Sequence, residues 1–166
     1  MAARIKAVAV VQGQANIRGI VTFEELQRQS TRYVGNKYTV RVVVDVHGLP
    51  PGKHAFHIHQ AGDLRHGCDS LCDHFNPDRK VHGGRNGKQR HAGDLGNILA
   101  DQSGHVYETF TDNTIQLRNT KYNIIGRSVV IHQDGDDLGR GGDRESLLTG
   151  NAGARIACGV IGYAMC

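Results

Sequence analysis

Histidine is the residue type that stands out, with ten in a chain of 166. His57-Ile58-His59 lies in a segment that reads as a β-strand, where alternate side chains share a face, so both imidazoles point one way and Ile58 the other. Two imidazoles on one rigid strand form half of a metal site. Downstream come His74, His82, His91 and Asp94, a His/carboxylate set suited to Zn²⁺, and then His132 at the end of the apolar run Ser128–Ile131. Six His and one Asp suffice for two metal sites if one imidazole is shared. Other chemistries find no support: there is no H-E-x-x-H, no Walker loop and no Ser/His/Asp or Cys/His arrangement suggested by context. Gly139-Arg140-Gly141-Gly142 lacks the strand–turn–helix setting of a dinucleotide site and reads as loop.

The four cysteines, Cys68, Cys72, Cys158 and Cys166, allow three complete pairings, and spacing does not choose among them. Cys68, Cys72, His82 and His91 miss both spacings of a zinc finger, although a looser Cys/His zinc site stays open. The net charge of +4 admits solubility, attraction of a small anion or nucleic-acid binding. The last is weakened because the basic stretch Arg79–Arg90 carries no stacking aromatic, so no nucleic-acid partner is expected. No apolar run approaches the ~20 residues that span a bilayer, and the N-terminus lacks the apolar core of a secretory signal. The expectation is therefore no membrane contact and a cytoplasmic location.

The elements that position these residues read as strands. Tyr38, Val40, Val42, Val44 and Val46 alternate with Thr39, Arg41 and Asp45, the pattern of a half-buried antiparallel strand. Further strands are expected at 5–11, 14–23, 54–60, 94–100, 105–110, 127–132 and 156–163. In the second, Ala15, Ile17, Val21 and Phe23 share a face. With no sustained 3.6-residue period, about eight strands favour a β-sandwich or closed barrel. Residues 1–166 form one domain on the usual length prior, and the 22 Gly belong to many turns. Two stretches, 61–93 and 133–155, are too polar to pack themselves and too long for ordinary connections, so they read as functional loops. The first holds His66, His74, His82 and His91 with two Cys, and its order is expected from metal ligation and a cross-link.

Several segments together resemble the cytosolic-type copper/zinc superoxide dismutases: His54-Ala55-Phe56-His57-Ile58-His59, His74-Phe75-Asn76-Pro77, His82-Gly83-Gly84, Arg90-His91-Ala92-Gly93-Asp94-Leu95-Gly96-Asn97, Val130-Ile131-His132, and the run Gly150–Gly162. They occur in the family's order between about residue 5 and residue 163. The resemblance implies an all-β, eight-stranded Greek-key barrel of immunoglobulin-like sandwich type, with a metal and disulfide loop at about 61–93 and an electrostatic loop at about 133–155. His57, His59, His74 and His132 match the family's copper ligands. His74, His82, His91 and Asp94 match its zinc ligands, with His74 bridging. Asp136 matches the carboxylate that hydrogen-bonds a ligand of each metal, Arg155 the arginine that holds superoxide beside copper, and Cys68 with Cys158 the intrasubunit disulfide.

The implied reaction is dismutation of superoxide to dioxygen and hydrogen peroxide, with Arg155 and His74 as its catalytic residues. The runner-up reading is a non-enzymatic copper carrier or chaperone-type relative. Such relatives lack a copper ligand or the arginine, and this chain keeps both. A homodimer is implied, with Val8, Val160 and Ile161 offering an apolar patch, while Ala61–Arg65 and Tyr163 are unusual choices there. Ala154 and Ile156 leave no proline beside Arg155, a family trait associated with copper loading without a dedicated chaperone. Asp134 and Leu148 stand where the family usually has lysines, and Arg144 where it is often acidic, so steering of the anion is expected to be weaker or redistributed. Cys72, Cys166 and the long connection 24–36 carry no assigned role.

Overall fold

The computed structural model describes residues 4–27 and 38–165. Eight strands are present among them: β1 (Lys6–Gly13), β2 (Arg18–Gln27), β3 (Tyr38–His47), β4 (Gly52–His59), β5 (Asp94–Ala100), β6 (Val106–Asp112), β7 (Ser128–His132) and β8 (Arg155–Tyr163). All pairs are antiparallel, in the order β5-β4-β7-β8-β1-β2-β3-β6, and the sheet curls into a nearly closed Greek-key barrel. Full closure is replaced at one point by a side-chain link, where Glu108 accepts from the backbone N–H of Leu99 at 2.8 Å.

The alternation in the sequence builds the core. Val40, Val42, Val44 and Val46 of β3 turn inward beside Val21 and Phe23 of β2 and Phe56 and Ile58 of β4. Burying such side chains contributes roughly 1.5–3 kcal/mol each relative to exposure. Strand β4 is buried on both faces because its second face, with His57 and His59, is covered by the irregular segment 61–93.

The expected strand at 14–23 starts late. Gln14–Asn16 instead form a 3-10 turn, with Ala15 and Asn16 at positive φ of 48° and 68°, so Ala15 is exposed rather than on the Val21 face. Ile161 also departs from expectation. It is fully buried in the core and contributes nothing to an outer apolar patch, whereas Val8 and Val160 are half-buried. The segment 61–93 holds a 3-10 helix, Gly67–Leu71, and 133–155 a single helical turn, α1 (Ser146–Thr149). A third long irregular stretch, 113–127, adds to the two expected loops. It packs Ile115, Leu117 and Ile124 into the core, and its Arg118 pairs with buried Glu25 of β2. Of the 24–36 connection, 24–27 belong to β2, and the remainder lies outside the described residues, as does Cys166.

Candidate metal centre

Two irregularities in strand register and one isolated bridge assemble the site. Between Ala55 and His57 the β4–β5 pairing shifts, so that His57 lies opposite Asp94. Between Ile131 and His132 the β7–β8 pairing shifts, which sets His132 opposite Arg155. An isolated bridge joins His59 to His74, and Phe75 N–H donates to Ile58 O at 2.8 Å. Bulges re-aim side chains at sheet ends, and here they bring a loop, two strand ends and a third strand to one point.

Two sets of donor atoms converge. His57, His59, His74 and His132, all buried, bring one ring nitrogen each to within 4.8 Å of one another, with His59 Nε2 3.4 Å from His132 Nε2. Beside them, Asp94 Oδ1 lies 2.9 Å from His74 Nδ1, 3.0 Å from His82 Nδ1 and 3.2 Å from His91 Nδ1. His57 also falls within reach of this second set, but its Nε2 is held 2.8 Å from Asp136. His91 Nδ1, 3.3 Å from His74 Nδ1, is the better-placed fourth donor.

The fit to metal ions rests on atoms with no other partner. His57 Nδ1 and His74 Nε2 are fully buried and make no hydrogen bond within the protein, and buried His82 Nδ1 faces only the Asp94 carboxylate. Leaving a buried ring nitrogen unsatisfied costs about 1–3 kcal/mol each, a cost that ligation removes. Each opposite ring nitrogen is occupied. His59 Nδ1 lies 2.8 Å from Cys72 O, His132 Nδ1 3.1 Å from Gly153 O, and Asp136 spans His57 Nε2 and His82 Nε2 at 2.8 and 2.7 Å. Such partners fix which nitrogen is free to face the metal.

Electrostatics separate the two sets. Burial pushes the ring pKa of His57 down to about 3 and that of His132 to about 4, and that of His59 lower still, so their lone pairs are available at neutral pH. At His82 burial also opposes charge, but hydrogen bonds to Asp136 and Asp94 outweigh it and raise its pKa to about 9. Burial would raise both carboxylates, yet their imidazole partners hold Asp94 and Asp136 well below the usual range. A proton on His82 thus occupies the place of a metal charge.

The residues expected as metal ligands and their support lie together: His57, His59, His74, His82, His91, Asp94, His132 and Asp136 in the cluster, and Arg155 at its mouth. Arg155 donates to Cys68 O at 2.8 Å and Cys72 O at 2.7 Å. Cys68 and Cys158 form a disulfide that pins the 61–93 loop to β8. Cys72 is an exposed free thiol. The cluster opens into a cavity of about 940 Å³, whose lining includes the cations Lys80 and Arg155 but also Asp73, Glu145 and Leu148. Asp134 and Arg144 are exposed and stand outside that lining.

Some contributors carried no signal in residue type. The Cys72 carbonyl orients both His59 and Arg155, a backbone role that any residue can fill. Gly150, at φ 73°, is required because a Cβ there would strike Asp136 Oδ1 and His82 Nε2. Buried Arg90 pairs with Asp112 of β6 at 2.7 Å and donates to Ala92 O, bracing the backbone on either side of His91. His54 lies under the site, its Nδ1 2.9 Å from His132 O.

Comparison with known proteins agrees with this chemistry. The family model described as copper/zinc superoxide dismutase (SODC) matches residues 17–161. The copper-zinc superoxide dismutase of Paramecium bursaria Chlorella virus 1 is 52% identical over 161 residues, covering 96% of this chain and 79% of the relative. That of Schizosaccharomyces pombe is 48% identical over 162 residues, covering 97% and 99%. A crystal structure of the clock protein EA4 superimposes with a TM-score of 0.85 at 43% identity, covering 96% of this chain and 94% of that one. A buried cluster of imidazole and carboxylate donors, a matching barrel and relatives near half identical over almost all of this chain lead to one conclusion: the chain belongs to the copper/zinc superoxide dismutase family.

Proposed function

We propose that copper is held by His57, His59, His74 and His132, and zinc by His74, His82, His91 and Asp94, in an enzyme that dismutes superoxide to dioxygen and hydrogen peroxide. The observation that carries the assignment is the placement of His74. Its Nδ1 faces Asp94 and His91, while its buried Nε2 has no hydrogen-bond partner and belongs to the set with His57, His59 and His132. One ring therefore serves both sets.

Copper held by His57, His59, His74 and His132 would supply one-electron exchange with superoxide, and zinc held by His74, His82, His91 and Asp94 would supply a fixed positive charge. The protein supplies the rest. His74 Nε2 is the atom that would hold and pass on a proton whenever it is released from ligation, since it is buried and makes no hydrogen bond within the protein. Arg155 holds the anion: opposite His132 in the β7–β8 register, it is fixed by two carbonyls and lines the cavity above the rings. Asp136 positions rings from both sets, and the disulfide keeps the Arg155 anchor at Cys68 in place. With Asp73 and Glu145 offsetting Lys80 and Arg155 in the cavity wall, capture of the anion depends on the local field of Arg155 more than on a broad cationic funnel.

We further read the chain as one domain acting as a homodimer, supported by the half-buried Val8 and Val160 on adjacent strands. A cytoplasmic setting and copper loading without a dedicated chaperone rest on the sequence alone. The ligand assignment is tested by His132→Ala: copper is expected to be lost while zinc stays within a few-fold of full occupancy, and turnover is abolished. Equal loss of both metals would overturn it.

A further inference from the structure

Two histidines far from the metal cluster face each other on the outside of the barrel. His47 ends β3 and His105 stands immediately before β6, and the register that sets Asp45 opposite Tyr107 and Val46 opposite Val106 continues to set His47 across from His105. Side chains alternate along β3, so Asp45 shares the outward face with His47 while Val44 and Val46 fill the core. The two rings stack with centroids 3.9 Å apart and planes 6° from parallel. Asp45 Oδ1 lies 2.9 Å from His105 Nε2 and 3.5 Å from His47 Nε2. One donor atom from each of the three lies within 4.8 Å of the other two.

Neither ring takes part in the catalytic arrangement. His47 is separated by the short connection 48–51 from the start of β4, whereas His59 closes that strand's other end. An ordinary cross-strand contact contributes about 0.2–1 kcal/mol and needs only one of these pairings. Here two imidazole nitrogens and a carboxylate oxygen converge on the same point, which is donor chemistry for a borderline divalent ion rather than for Ca²⁺ or Mg²⁺.

We propose that Asp45, His47 and His105 form a third metal site, open to solvent and separate from the buried pair, that takes Zn²⁺ or Cu²⁺ with water completing the coordination. The side chains are open to solvent on the side from which an ion would approach: His47, Asp45 and His105 are 59%, 49% and 31% exposed. Tetrahedral ligation asks for nitrogens about 3.3 Å apart, which a rotation of one exposed ring provides. Arg18 lies opposite His47 on β2, and its charge makes this site weaker than the buried ones. An ion held there exchanges readily with solution.

The test uses protein with both buried sites filled. Zn²⁺ alone is titrated by calorimetry, and Cu²⁺ alone is followed by the nitrogen hyperfine structure of its spin resonance spectrum. One further equivalent per chain is expected, with His47→Ala and His105→Ala each weakening it at least tenfold and His66→Ala, at an exposed histidine on another loop, leaving it unchanged. Copper and zinc content of the buried sites reports whether each variant folds. In the unsubstituted protein, the ring ¹⁵N resonances of His47 and His105 should shift on addition of Zn²⁺, which requires no variant. Absence of the third equivalent, or its persistence with the same affinity in both histidine variants, would overturn the proposal.

Discussion

Replacing Asp136 by Asn is the most discriminating change that leaves every metal donor in place. The carboxylate is fully buried and spans His57 Nε2 at 2.8 Å and His82 Nε2 at 2.7 Å, while Oδ1 also accepts from Leu138 N–H at 2.7 Å. An amide of the same shape keeps one acceptor and turns N–H toward a ring N–H on the other side. Losing one charge-assisted bond between buried groups costs about 1.5–3 kcal/mol, in line with the 10- to 100-fold loss of affinity usual when such a supporting partner is removed. The two metals should not share the loss equally. His57 sits on β4, hydrogen-bonded by β5 on one side and β7 on the other. His82 sits in the irregular 61–93 segment, its backbone tied to Leu147 O across a second loop that Asp136 helps to order through Asn97. Zinc affinity should therefore fall 10- to 100-fold and copper affinity less than about fivefold. The assay is chelator competition on the demetallated protein, one metal at a time. A copper loss as large as the zinc loss, or no loss of either, would refute the reasoning.

Other outcomes follow from the same geometry. Arg155→Ala should leave both metals bound and slow superoxide removal about tenfold through substrate capture, with the remaining rate less sensitive to salt; an unchanged rate in stopped-flow decay would remove the docking role. In the metal-free protein the His82 pKa is raised to about 9, so below that pH zinc must displace a proton, whereas His57 and His132, at about 3 and 4, are already neutral. Zinc affinity should thus rise roughly tenfold per pH unit between pH 6 and 8 and level off above 9, while copper affinity changes little; calorimetry in buffers of different ionisation enthalpy counts the protons. Cys68→Ser opens a cross-link spanning 90 residues, worth ~4–5 kcal/mol in the chain-entropy account. Thermal unfolding of the metal-free protein should drop by roughly 10 °C or more.

The residues of the donor cluster are legible because their chemistry is written in side-chain type. An H-x-H on a strand fixes a shared face, and an otherwise unexplained polar loop rich in His asks for a metal. The core of β3 was equally plain from its alternating valines. What the sequence did not disclose depends on backbone or on register. The bulges that set Asp94 opposite His57 and Arg155 opposite His132 leave no compositional trace. Neither does a carbonyl such as that of Cys72, which holds two functional side chains. The ion pair between Arg90 and Asp112 joins residues whose proximity only the closed barrel creates. Ala15 departs from the apolar alternation because it and Asn16, both at positive φ, form a turn that interrupts the strand. The burial of Ile161 is not written in the apolar pattern of β8, because only the β7–β8–β1 packing decides which face of that strand is core.

Metal content and superoxide decay measured on one preparation test the central assignment most directly. One copper and one zinc per chain, with cyanide-sensitive dismutation well above that of the same amount of free copper, is the predicted result. Full loading of both metals with no acceleration beyond free copper would contradict it.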